Sequence, residues 1–385
     1  MNKVLILSPG PFLKRDYERF GIENLKKNFS VKIFDFTAWL YPEYWKECSN
    51  LVYKCEEYVV IRNKDDFLAN NKGNDSLIVL DYLEKNIKTN WARNQLKKRN
   101  SLFVEFDINL IPPDRINKVK YFKKLINLFI KPKKFINIFL KFFEKKFFNL
   151  KNYLPQVLVV GGLASSRKSK VKHIIYAHSM DYDLYLKLKN KKKNYQNSYA
   201  VFLDEDIVNH QDYIFQDLES PISELEYYLI LLKFFKTFEV NTGLKIKFAI
   251  HPKSRTKNLE KILKDVDYSI GNTHELVRDS SVVLLHASTS VSYAVLFKKP
   301  AIFLTSDKLA KSWIGPRINN LAKSINGKII NLNSDLNYKL NTKDLLQIDE
   351  IKYKSYLDQY LKFPHSPDIP LWEIFTENIQ KRKLQ

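Results

Sequence analysis

Eleven short apolar runs recur along the chain, and they constrain its fold more than any other feature. They read KVLILS (3–8), SVKIFDFT (30–37), YVVIR (58–62), SLIVLDY (76–82), SLFVEFD (101–107), QVLVVGG (156–162), KHIIYAHS (172–179), SYAVFLDED (198–206), KIKFAIHP (245–252), SSVVLLHAS (280–288) and PAIFLT (300–305). Runs this short and nearly continuous suit strands buried on both faces, which is the state of strands in parallel sheets. Polar or helical stretches separate them. Residues 14–28, 223–243 (with Gly243 as a stop), 256–266, 289–298 and the C-terminal PLWEIFTENIQKRKLQ all read as helices. Strand and helix in alternation predict an α/β protein with open sheets.

At 385 residues the chain exceeds one ordinary domain. The order of runs predicts two Rossmann-like domains with a cleft between them. The first spans 1–190, the second 191–350, and residues 351–385 form a helical segment packing back across both. The Lys- and Asn-rich stretch KLKNKKKNYQN (187–197) has the composition of a linker. An apolar content of 45% excludes global disorder. Two cysteines, Cys48 and Cys55, exclude a disulfide framework and a four-thiolate zinc site, and fit a reducing compartment. Neither a signal-peptide core nor an apolar run of about 18–20 residues is present, so the expected location is cytoplasmic and peripheral.

The net charge of +22 favours anionic partners. Part of it reflects a general preference for Lys and Asn. Residues 117–151 stand apart, because Phe, Leu and Ile alternate there with Lys, Glu144 is the only acid, and Pro132 divides the stretch. Such a basic aromatic stretch predicts a helix lying on an anionic membrane surface, or a helix pair packed on the first domain. It has too little Arg and too much apolar face for a nucleic-acid groove.

Three strand ends carry candidate chemistry. AIHPKSRTKN (249–258) ends an apolar run in His251 and Pro252, and Lys253, Ser254 and Arg255 follow. Open α/β sheets bind ligands at such carboxyl ends. LLHASTS (284–290) puts Ser288, Thr289 and Ser290 ahead of a helix, an arrangement suited to an anion as well as to plain capping. FLDED (202–206) delivers Asp204, Glu205 and Asp206 together, so mutual repulsion should raise at least one pKa. These acids predict a general base, a nucleophile or a counter-charge to a cationic transition state. YAHSMDYD (176–183) adds His178, Ser179, Asp181 and Asp183, for acid–base or acceptor-positioning work or as hinge hydrogen-bonders. Gly161–Gly162 offers bare backbone for a ligand, and SPGPF (8–12), after the first strand, is expected to face the cleft as part of an acceptor site. The Gly-Gly is not the GxGxxG of dinucleotide folds.

The His-Pro strand end, the Ser/Thr-Ser helix start and the KKPAIFL strand together resemble the C-terminal half of GT-B glycosyltransferases that use CMP-activated sugars. These are the bacterial sialyltransferases and the Kdo or nonulosonic-acid transferases of capsule and lipopolysaccharide. The resemblance covers roughly residues 198–305. It implies that His251, Pro252 and the hydroxyls of 288–290 hold CMP, with Lys253 and Arg255 neutralising phosphate or a sugar carboxylate. An acid among 204–206 would then face the donor sugar, although no Gly follows the acids as it does in sialyltransferases. A glycan or glycolipid would be the acceptor, and no metal or other cofactor would be required.

Two other readings stay open. One is a UDP-sugar or CDP-polyol transferase of capsule or teichoic-type polymer on the same scaffold, with Glu275 at the ribose. The other is a non-enzymatic membrane or nucleic-acid binding protein. The DED triplet also fits the D-x-D metal pair of GT-A enzymes.

Overall fold

The computed structural model describes residues 3–113, 154–165, 170–191, 198–210, 213, 218–334 and 345–383. Two sheets carry the fold. The first contains β1 Lys3–Ser8, β2 Ser30–Asp35, β3 Tyr58–Val60, β4 Ile78–Asp81, β5 Leu102–Asp107, β6 Val157–Val160 and β7 His173–Tyr176. Its order is β3-β2-β1-β4-β5-β6-β7. The second contains β8 Tyr199–Leu203, β9 Lys245–Ile250, β10 Asp267–Ile270, β11 Val282–Leu285, β12 Ala301–Thr305 and β13 Lys328–Asn331, ordered β10-β9-β8-β11-β12-β13. All pairings between these strands are parallel.

Central strands are apolar and buried throughout: β8, β11 and β12 have every residue inside. Helix Glu224–Thr242 covers β8 and β9 with Phe234, Phe235 and Phe238 against Phe202 and Phe248. Each such ring contributes about 1.5–3 kcal/mol through burial. Gly243 ends the helix in the left-handed conformation, φ 72°.

Two strands, β10 (DYSI) and β13 (KIIN), lie outside the eleven apolar runs. Both are edges of the second sheet and mostly open to solvent, so they need no continuous apolar run. The predicted helix 14–28 is broken. It forms Lys14–Arg19 and then Ile22–Lys26, because Gly21 takes φ 54°. A Cβ there would lie 2.2 Å from the Trp372 ring. Glycine thus admits Trp372, whose Nε1–H donates to the Arg19 carbonyl at 2.8 Å.

The C-terminal chain crosses between the halves. Tyr353, Tyr356 and Leu361 belong to the core of the second sheet. Leu371, Trp372, Ile374, Phe375 and Ile379 on helix Leu371–Lys383 belong to the core of the first. His178 secures the crossing and is fully buried, with Nε2 at 2.8 Å from the Ile369 carbonyl. The Gly161–Gly162 backbone meets the protein itself: Cβ atoms would strike Ile108 at 2.8 Å and the Gln359 carbonyl at 2.2 Å. The amide of Ala164 bonds that same carbonyl.

The basic aromatic segment 117–151 lies outside the described residues, as do 192–197 of the predicted linker. Among the described residues no helix is long and apolar enough to cross a membrane.

Candidate functional site

In each sheet the chain moves outward in one direction and then returns to the other side of its first strand. The reversals fall between β1 and β4 and between β8 and β11. Crevices at the carboxyl ends beside such reversals are where open α/β sheets take ligands. One cavity of about 430 Å³ touches both regions. Arg15, Glu18 and Arg19 come from the helix after β1. Asp204, Glu205, His251, Pro252 and residues 287–290 come from the loops after β8, β9 and β11. Seven of the eleven residues expected at the site therefore share one cavity: Asp204, Glu205, His251, Pro252, Ser288, Thr289 and Ser290. The other four, Asp206, His178, Lys253 and Arg255, do not line it.

The three acids diverge. Asp204 gives both oxygens to backbone, Oδ1 accepting from Asp206 N at 2.9 Å and Oδ2 from His251 N at 3.0 Å. Asp206 has φ 48° and braces the His-Pro loop, accepting from Arg255 N at 2.7 Å and the Thr256 hydroxyl at 2.8 Å. The D-x-D pair thus does not converge on one point. Among the described residues no group of three or more His, Cys, Asp or Glu is placed to hold a metal ion. Glu205 alone keeps an oxygen for the cavity. Its Oε1 accepts from His286 N at 3.1 Å and Ala287 N at 2.6 Å, so the side chain spans the reversal between β8 and β11. Burial pushes Asp204 up to about 7, against the pull of the His251 and Asp206 amides. It pushes Glu205 up to about 8, against the Ala287 amide.

His251 is held as a neutral donor. Burial, then the charges of His210, Arg15 and Lys253, push its pKa down to about 3. Its Nδ1 accepts the Lys253 backbone N–H at 3.3 Å, which leaves the ring proton on Nε2. The cations that follow are turned elsewhere. Lys253 pairs with Asp16 at 3.8 Å, and Arg255 pairs with Glu47 at 2.6 Å and covers the Tyr44 ring. Both reach across to the first half, and neither lines the cavity.

Ser288 turns inward, its hydroxyl accepting from Ser290 N at 3.2 Å, and Thr289 is exposed. The helix that follows, Val291–Leu296, is only six residues long. Its dipole is therefore a smaller anion attraction than the predicted ten-residue helix would give. His178 is part of the C-terminal clamp, fully buried 3.7 Å from Asp183, and does not line the cavity. Glu275 is exposed and outside the cavity, although its neighbours Thr273 and His274 line it.

The first half supplies the cations instead. Arg15 and Arg19 stand one turn apart on Lys14–Arg19 and share one face. Burial and the charge of Arg19 pull Arg15 down, against the charge of Asp16 at 3.8 Å. The Nε of each is buried without a hydrogen-bond partner. Asp181 fixes Arg19 in place, accepting from Arg19 Nη2 at 2.8 Å, the Ser292 hydroxyl at 2.5 Å and the Tyr293 hydroxyl at 2.9 Å. It ties the first half to the helix after β11.

Arg15, Arg19, Trp313 and Arg317 line the cavity without belonging to any motif read from the sequence, and His210 and His274 line it without having been assigned a role. One signal was available. Only eleven of the 64 basic residues are arginines, and three of the eleven stand here. Where Lys supplies nearly all charge, an Arg marks a place that uses its fixed fork.

No protein-family profile and no curated relative matches the sequence. The fold does have solved counterparts. S. aureus MnaA, in a structure with UDP, is 12% identical, with TM-score 0.50, over 100% of this chain and 97% of that one. The wall teichoic acid polymerase TagF, as its H548A form, is 11% identical, with TM-score 0.50, over 99% of this chain and 90% of TagF. At this identity they establish the fold, which is that of GT-B proteins: α/β, two Rossmann-like sheets and a cleft between them. They also correct an expectation. These two structures are a UDP complex and a teichoic acid polymerase, and neither is a sialyltransferase. The CMP-activated nonulosonic acid donor, and CMP-sugar as a partner, are withdrawn.

Proposed function

We propose that the protein is a glycosyltransferase that takes a UDP-sugar into this cavity and passes the glycosyl group to a surface-polymer acceptor. One observation carries the reading: at the meeting of two strand reversals, a buried carboxylate that uses only one oxygen in hydrogen bonds shares a cavity with two arginines and a neutral histidine donor. The fold neighbours with UDP and with teichoic acid polymerisation support it.

In this reading the nucleoside lies toward Gly271, Thr273 and His274. The diphosphate meets Arg15, Arg19, the Nε2–H of His251 and the loop of Ser288, Thr289 and Ser290. Glu205 takes the proton from the acceptor hydroxyl as its oxygen attacks the anomeric carbon. The bond from that carbon to the phosphate oxygen breaks, and UDP leaves with its new negative charge on the arginines. A carboxyl with a pKa of about 8 suits this work, because a base is most effective when its pKa is near the working pH. Asp204 and Asp206 hold the His-Pro loop around it. The composition of 117–151 supports a polymer acceptor at an anionic membrane surface.

The test is a thermal-shift screen with UDP, CDP, CMP, GDP and ADP. A ligand at 100 times its Kd adds about 2.7 kcal/mol. A shift largest with UDP supports the reading. A shift largest with CDP moves it to a CDP-polyol transferase, and no shift with any nucleotide removes it.

A further inference from the structure

The cavity has two ends. From β9, which carries His251, the sheet runs through β8 and β11 to β12. Three strand spacings make that about 14 Å. Glu205 sits between, on the loops of β8 and β11. Under the proposed function, the nucleoside and diphosphate take the β9 side, and the reacting carbon lies at Glu205. What remains, past Glu205, is the β12 end, lined by Trp313, Ile314 and Arg317.

That end is chemically specific. The Trp313 Nε1–H is buried and has no hydrogen-bond partner. The ring is only partly buried and stands edge-on to Tyr213, with centroids 5.8 Å apart. Arg317 lies over the Trp313 ring at 5.7 Å. No carboxylate among the described residues comes within ion-pair distance of Arg317, whereas Lys253 and Arg255 each have one. A partly buried guanidinium with no carboxylate in ion-pair contact among the described residues, only the more distant charge of Glu205, beside an unused donor and an aromatic face, is incomplete as protein structure. It is complete as a receptor for a sugar ring with a planar anion: the ring stacks on the indole, and the anion takes the fork. One arginine balances one negative charge. With Glu205 and Asp204 nearby, a carboxylate fits this balance better than a dianionic phosphate.

We propose that Trp313 and Arg317 form the subsite for the transferred group, and that they select a glycosyl unit bearing a carboxylate. The proposal rests on the UDP-sugar reading of the cavity. It makes Arg317 a specificity-determining residue.

The experiment is isothermal titration of the full chain with UDP, UDP-glucose and UDP-glucuronic acid. These two sugars differ only at the carboxylate. The expected result is that UDP-glucuronic acid binds at least about ten-fold more tightly than UDP-glucose. Arg317→Gln should bring that ratio to about one, and Arg317→Lys should restore part of it, which shows that the fold survives substitution there. Equal binding of the two sugars to the unsubstituted protein overturns the proposal. So does a preference that survives Arg317→Gln, or an Arg317→Gln that weakens UDP and both sugars by one common factor, since Arg317 would then be a diphosphate ligand. Failure of UDP itself to bind is a separate result, which removes the donor reading and this assignment with it.

Discussion

Two pairs of cations stand near the cleft, and they behave in opposite ways. Lys253 and Arg255 follow the His-Pro strand end, where sequence reasoning looks for phosphate ligands. Each reaches across to an acid of the other half, Asp16 and Glu47. Arg15 and Arg19 follow β1 on a short helix that no motif marks. They face the cavity, each with a buried Nε that lacks a partner. A charge close to a motif is therefore not a charge at the site. What distinguishes the pairs is position: Arg15 and Arg19 line the cavity although Asp16 and Asp181 also pair with them, whereas Lys253 and Arg255 do not line it. Partly exposed ion pairs of the first kind contribute little, about 0–1 kcal/mol each. Cations that line the cavity with an unused N–H are the ones a ligand can complete.

The largest expected effect falls on the carboxylate between the pairs. Glu205→Gln keeps an Oε1 for the His286 and Ala287 amides but cannot take a proton. Acceptor-dependent release of UDP should fall by about 10²–10⁴-fold. A loss under ten-fold would mean that another group is the base. Next come the arginines. Arg15→Gln with Arg19→Gln should weaken UDP by about 100-fold in a titration, from charge-assisted bonds of about 1.5–3 kcal/mol each. Lys253→Ala and Arg255→Ala should change it by less than about three-fold. The reverse ranking would break the comparison outright.

Asp181→Asn sharpens it. Arg19 keeps its charge but loses the carboxylate that fixes it, so UDP should weaken by about ten-fold. Asp181→Glu should recover part of that loss, because it keeps the anchoring charge.

The smallest effect is on stability. Glu205 is raised from 4.5 to about 8. The folded chain therefore holds this proton more tightly than the unfolded one. The resulting stability is fully present below pH 4.5 and is lost as pH rises through about 8. Glu205→Gln removes the loss. Its melting temperature relative to the parent should climb by about 2–4 °C between pH 5 and pH 8.5. A flat difference would mean that Glu205 is ionised throughout.

Much of the fold was legible because central parallel strands must be apolar at every position. Eleven of the thirteen strands announce themselves in this way, and β10 and β13 do not because most of their side chains are open to solvent. The break at Gly21 was not legible, since it depends on Trp372, some 350 residues away in sequence, lying against the backbone. The site was legible where strand ends make it: Glu205, His251 and residues 287–290 arrive there because β8, β9 and β11 are adjacent. It was not legible where a partner decides the outcome. Asp204, Glu205 and Asp206 look equivalent in the sequence. Only the amides of His251, Arg255 and Ala287 show that Asp204 and Asp206 brace a loop while Glu205 spans the ends of β8 and β11 with one oxygen. Trp313 and Arg317 follow β12 with no local pattern to mark them.

The most direct measurement is a crystal structure of the protein with UDP. The account predicts the diphosphate between the Arg15 and Arg19 guanidiniums and the Nε2 of His251, with the uracil toward Gly271 and the space beside Glu205 and Arg317 open for the sugar. A diphosphate held instead by Lys253 and Arg255, or a nucleotide outside the cleft, would contradict it.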